Sequence, residues 1–203
     1  FLLVILLGSF LLMLPISAKN GEVTPFLHAL FTATSAVCVT GLVIYDTATS
    51  WSQFGQTVII LLIQIGGLGV ITVGGAFAIL SGRRIGLMQR STRQEAIAAP
   101  HVGGIVRLTG FILKTALAVE LLGAALLFPV FFREFGLFRG AWYALFHSIS
   151  AFCNAGFDLM GVKAPFSSLT DYAGDPVISI VIALLIAIGG IGFVTWEDIR
   201  TNG

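Results

Sequence analysis

Apolar residues in this chain come in long unbroken runs rather than in the alternation of a half-buried sheet. Four runs are long enough for spanning helices: residues 1 to about 18, about 54 to 80, about 104 to 132 and about 176 to 196. Within each pair of runs lies a shorter segment, about 25 to 37 and about 140 to 152, where Ser, Thr and His interrupt the apolar residues. At about 1.5 Å per residue such a segment covers only about 20 Å. Thr24 and Pro25 offer the first one an N-cap and a favoured first helical residue. Both end at a glycine-bearing loop, CVTG or CNAG. A half-length helix between full spans predicts a re-entrant helix followed by extended backbone. Such backbone persists at membrane depth only where protein buries it or where it lines a water-filled cavity.

The pattern is written twice. ALFTATSAVCVTGL (Ala29 to Leu42) is answered by ALFHSISAFCNAGF (Ala144 to Phe157), with Cys38 opposite Cys153 and Gly41 opposite Gly156. LLIQIGGLGVIT (Leu61 to Thr72) is answered by LLIAIGGIGFVT (Leu184 to Thr195). The chain therefore divides into a first helix, pore-loop, helix repeat over residues 1–80, a linker over 81–103 and a second repeat over 104–203. The predicted fold class is an all-α membrane protein built from tandem repeats.

Composition agrees, with 57% hydrophobic and 10% charged residues, against about 25% charged in soluble domains. No formal charge occurs from Thr47 to Gly82 or from Pro176 to Trp196. The opening run carries neither a basic start nor a cleavage site, so it reads as part of a spanning helix, and the chain as a fragment. Arg83, Arg84, Arg90, Arg93 and Arg107 face a single Glu95 in and beside the linker, which marks it as cytoplasmic. The first helix of each repeat then runs outward, the short helix dips back from outside, and the last helix returns inward. The arginines serve either as a solvated loop or as a partner-facing surface. Cys38 and Cys153 are expected to be free thiols.

A short helix entering from outside aims its C-terminal end at the membrane centre, where its dipole favours a cation. Beyond that end, loop carbonyls can replace an ion's water shell. Glycine permits backbone angles and a close approach that a side chain denies. Thr40 and Asn154 are expected to tie the loops to their surroundings, while Asp46 and Asp158 either concentrate cations at the mouth or are ordinary loop carboxylates. Glu120, near the middle of its helix, calls for a protein or water partner. It either bonds to a neighbouring repeat's filter loop or meets the ion. The histidines show no metal spacing. The aspartates fall in outer loops rather than on spans, which argues against an intramembrane enzyme. GGLGVITVGG follows no strand, so it reads as close helix packing rather than as a dinucleotide loop.

SAVCVTGL, SAFCNAGF, the linker GRRIGLMQRSTRQEAIAAPHVGGIVRL and the following AVELLGA together resemble the Trk/Ktr/HKT superfamily, in particular the Ktr-type membrane subunit. The resemblance implies half of a potassium uptake protein whose four repeats surround one pathway with pseudo-fourfold symmetry. It implies a filter of Cys38, Val39, Thr40 and Gly41 with Cys153, Asn154, Ala155 and Gly156. A sodium-coupled or Na+/K+ transporter, or a nonconducting fragment, is the alternative. The resemblance further implies a multi-pass protein of the plasma membrane, a homodimer of the full-length protein, and a cytosolic nucleotide-binding regulatory ring. No covalent cofactor and no nucleic-acid partner is expected.

Overall fold

The computed structural model describes residues 1–69 and 102–191, with the side chains of 102–109 left aside. The basic linker, including Arg83, Arg84, Arg90 and Arg93, and the expected helical stretches beyond residues 69 and 191 lie outside the described residues. Helix α1 is Leu2–Met13, shorter than the run to residue 18. The cause is local: Leu14 precedes Pro15 and takes ψ 139, because a residue before proline is driven out of the helical region. A 3-10 turn, Pro15–Ser17, follows.

Helix α2 is Phe26–Val37. Its cap departs from expectation. Pro25 itself is the N-cap, extended at ψ 137 and without a side-chain cap bond, and its carbonyl accepts from both His28 and Ala29 N–H at 3.0 Å. A short α3, Thr47–Ser50, is capped by Asp46, and α4 runs Gln53–Gly67 from the Ser52 cap.

The stretch Val102–Phe152 consists of two helices meeting at Gly136, whose φ of 76 and ψ of −175 are not helical. We number its arms α5 (102–135) and α6 (137–152). The positive φ lets the chain turn back within one residue, where the first repeat uses the whole segment from Leu14 to Thr24. Helix α7 is Pro176–Gly190, begun by an Asp175 cap whose side chain accepts from Val177 and Ile178 N–H. Within Gly110–Phe152 the chain is long and apolar enough to cross a bilayer. The other apolar helices are shorter over their described extent.

Helices α1, α2 and α4 pack together as one trio, α5, α6 and α7 as the other. The same small-to-large contact joins each trio. A Cβ on Gly8 would stand 2.7 Å from a Leu62 methyl, and one on Gly123 2.8 Å from a Leu185 methyl. The trios meet where α4 lies against the α5–α6 unit and α3 against the turn at Met160–Val162. Leu12, Ile59, Ile63, Leu127, Phe131 and Phe146 are buried. By contrast Leu2, Leu27 and Phe138 are 73%, 72% and 87% exposed, a surface suited to lipid rather than water. The molecule is an all-α membrane fold.

Candidate functional site

Both short helices end in the same hydrogen-bonded turn, bond for bond. Cys38 N–H donates to Thr34 O (2.8 Å), Val39 N–H to Ala36 O (3.3 Å) and Thr40 N–H to Ser35 O (3.0 Å). In the second repeat Cys153 N–H donates to Ile149 O (2.9 Å), Asn154 N–H to Ala151 O (3.0 Å) and Ala155 N–H to Ser150 O (2.8 Å). The crossed pair of bonds is a Schellman ending, which needs a left-handed residue just past the cap. Val39 fills that place at φ 49 and Asn154 at φ 56. Asparagine tolerates the conformation, whereas a β-branched valine there is strained by about 1–3 kcal/mol.

Two residues further on, Gly41 (φ 71) and Gly156 (φ 74) are left-handed again. A backbone alternating in φ directs successive N–H groups to one side and carbonyls to the other. The N–H side is occupied by the bonds just described. Among the described residues, none donates a hydrogen bond to the carbonyls of Cys38–Gly41 or Cys153–Gly156. The glycines themselves are neighbours: a Cβ on Gly41 would lie 2.7 Å from Ala155 O and 3.3 Å from Gly156 Cα. The two loops thus adjoin each other, at the electronegative ends of α2 and α6.

Side chains fix the loops from behind. Ser35 Oγ and Thr40 Oγ1 share a 2.9 Å hydrogen bond, while the matching Ser150 donates to Phe157 O at 2.6 Å. Asn154 Nδ2 donates to Ile186 O on α7 at 3.3 Å. At the matched position in α2 and α6, Thr32 Oγ1 donates to His28 O (3.0 Å) and His147 Nδ1 to Tyr143 O (2.7 Å). His147 Nε2 also accepts from Leu159 N–H at 3.2 Å, which makes Nδ1 the protonated nitrogen. Among the described residues no cluster of His, Cys, Asp or Glu could hold a metal ion, and both thiols are free, Cys38 exposed and Cys153 buried.

The repeated glycine pairs brace these helix ends. Gly66 meets the carbonyl of Val37, and Gly189 the carbonyl of Phe152, so closely that a methyl on either would overlap the oxygen. Gly67 faces Cys153, with a Cβ there only 2.6 Å from Sγ. Among the described residues, close packing is therefore what Gly66, Gly67 and Gly189 serve, but not Gly69, which has a φ of 77 and open space around it, nor Gly190, where a Cβ would meet only Asn154 Nδ2 at 3.9 Å; Gly192 lies outside the described residues.

The carboxylates are held by protein hydrogen bonds. Asp46 is buried, its Oδ1 accepting from Ala48 N–H, Thr49 N–H and Thr49 Oγ1, all at 3.0 Å, and its Oδ2 from Phe166 N–H at 2.9 Å. Asp158 is half-buried and accepts from Met160 N–H at 2.8 Å. Burial pushes its carboxyl above the usual range and nearby Asp46 adds to the rise, partly offset by bonds from Met160 and Ser168. A cavity of about 200 Å³ beside it is lined by Ser150, Asn154, Gly156, Asp158 and Ser168 among others. Glu120 is buried, and Gln64 Nε2 donates to its Oε1 at 2.7 Å. Ser35, Ser150 and Gln64 escaped the sequence reading. Their signal was the repeat itself, since both serines recur at one position and Gln64 stands where its counterpart is Ala187.

A profile of the TrkH family, described as cation transport protein, matches residues 1–200. The chain is 44% identical over 199 residues to the potassium/sodium uptake protein NtpJ of Enterococcus hirae, covering 98% of this chain and 43% of that protein. It is 42% identical over 202 residues to the Ktr system potassium uptake protein B of Bacillus subtilis, covering 100% and 44%. Against the Ktr system potassium uptake protein B of Vibrio alginolyticus the identity is 38% over 199 residues, covering 98% and 42%. The chain thus spans less than half the length of these relatives. Its fold of paired helix, short-helix and helix repeats, together with these matches, makes it a member of the TrkH family of cation transport proteins.

Proposed function

We propose that the chain is part of the ion-conducting membrane subunit of a potassium uptake system, contributing two of four loops to a filter of backbone carbonyls. Potassium would shed water and be held by oxygens from Cys38, Val39, Thr40 and Gly41 with Cys153, Asn154, Ala155 and Gly156. The observation that carries this reading is the pairing of two left-handed glycines on matched helix ends, with carbonyls free of hydrogen bonds from the described residues. The remaining repeats would complete a pseudo-fourfold ring. Sodium coupling or Na+/K+ transport is a second reading, favoured by the similarity to the potassium/sodium uptake protein NtpJ.

On this account the protein is multi-pass in the plasma membrane, with residues 81–103 cytoplasmic and the filter mouths outside. Repeats 1–80 and 104–203 act as quasi-equivalent units. The full-length protein is a homodimer seated on a cytosolic nucleotide-binding ring that meets Arg83, Arg84, Arg90 and Arg93. Asp158 and Asp46 shape the outer loops, and Glu120 supports the filter from within the protein. The test is rubidium uptake by the full-length protein in cells lacking their own potassium uptake. Gly41→Ser and Gly156→Ser should lose preference for K+ over Na+; wild-type discrimination in both would remove the filter assignment.

A further inference from the structure

Among the polar residues that break the internal repeat within the membrane helices, Gln64 and Glu120 find each other. The alignment that sets Gly8 on Gly123 and Leu12 on Leu127 sets Ile5 on Glu120, while the one that sets Gly66 on Gly189 sets Gln64 on Ala187. Each departure alone would leave a polar group in an apolar environment at a cost of several kcal/mol. Instead Gln64 Nε2, on α4 of the first repeat, donates to Glu120 Oε1, on α5 of the second, at 2.7 Å. Glu120 is 2% exposed. Its backbone carbonyl accepts from Ser148 Oγ on α6 at 2.7 Å, which ties the same residue to the second short helix. Gln64 lies one helical step from Gly66 and Gly67, which touch the Val37 carbonyl and the Cys153 side chain. Two hydrogen bonds through Glu120 thus join the first repeat's brace to the second repeat's short helix.

We propose that Glu120 and Gln64 form a positioning bridge across the repeat boundary, fixing the distance between the two loops and thereby the affinity and selectivity of the pathway. The inference rests on the filter reading above. It assigns Glu120 no contact with the ion. What matters is the hydrogen bond rather than the negative charge, so an amide at position 120 should serve as well.

The test is rubidium uptake by the full-length protein, scored as KM, as maximal rate per membrane-inserted protein, and as discrimination against Na+. E120Q keeps an acceptor for Gln64 and should stay within about twofold of wild type. E120L leaves the half-buried Gln64 without its acceptor and Q64L leaves the buried Glu120 without its donor, so KM should rise about tenfold and discrimination should narrow. The double variant E120L/Q64L should be no worse than either single one, because both remove the same bond. Q64E alone sets two carboxylates together and should be impaired, whereas the exchanged pair Q64E/E120Q restores one donor and one acceptor and should recover. An E120L protein at wild-type level in the membrane with unchanged KM and discrimination overturns the proposal. Should E120L fail to reach the membrane, the exchanged pair decides: recovery supports the bridge, and a protein as impaired as Q64E overturns it. Gly41→Ser in the same assay separates the two ideas. If it alters selectivity while E120L does not, the bridge fails and the filter stands; if Gly41→Ser changes nothing, the filter reading itself fails.

Discussion

The carbonyl oxygen of Val37 rests against the α carbon of Gly66, with no room between them for a methyl group. The same relationship holds between Phe152 and Gly189. Each returning helix therefore presses its own backbone onto the end of the short helix beside it, and small residues are what permit the approach. Gly66→Ala and Gly189→Ala should each lower stability by at least about 1–3 kcal/mol, because backbone must move to admit the side chain. Gly174→Ala, where a Cβ meets nothing within 4 Å, should leave stability unchanged. Thermal unfolding of the full-length protein in detergent compares the three.

Val39 and Asn154 occupy the same left-handed position, but only asparagine is suited to it. Val39→Asn should stabilise the protein by about 1 kcal/mol as the strain is relieved. A drop in melting temperature would mean that valine's packing outweighs its backbone cost.

Asp46 joins the two outer loops from a buried position, capping α3 and taking the N–H of Phe166. Asp46→Ala should cost about 1–2 kcal/mol through loss of the cap and of the cross-repeat bond. A cap acts at short range, so the effect should persist at high salt. A purely kinetic effect on uptake that fades with ionic strength would instead indicate a carboxylate acting on ions at the mouth.

Asp158 yields a pH prediction. Its carboxyl is raised above the ordinary value of 3.8, chiefly by burial. The folded state thus holds its proton to higher pH than the unfolded state does. The favourable contribution is full below the unfolded value and is lost as pH rises through the folded one. Asp158→Asn should therefore flatten the decline in melting temperature as pH rises above the ordinary carboxylate value of 3.8. An unchanged slope would assign that decline to other groups.

The sequence made the ends of the short helices legible because the glycines of CVTG and CNAG are a local signal written twice, whereas the left-handed turn at Val39 was not, since a β-branched side chain ordinarily avoids it. Pro15 was an equally local signal: the run to residue 18 was read by hydropathy alone, which does not register the constraint that proline puts on Leu14. A break between about 132 and about 140 was legible in the sequence, but not that Gly136 alone would make it in place of a longer loop, because nothing local marks which residue takes the positive φ. Asp46 looked like a loop carboxylate since its partner, Phe166, is remote in sequence. Glu120 stood out at once, but its partner did not, because a lone glutamine in an apolar run carries no charge to draw attention.

The account depends on carbonyls of both loops holding a dehydrated alkali ion together. The direct measurement is anomalous diffraction from crystals of the full-length protein soaked in rubidium. The account predicts anomalous density on the pathway axis beside Val39–Gly41 and Asn154–Gly156, within coordination distance of their carbonyl oxygens and reduced in Gly41→Ser. Ordered rubidium elsewhere on the pathway, with none beside these loops, would contradict it.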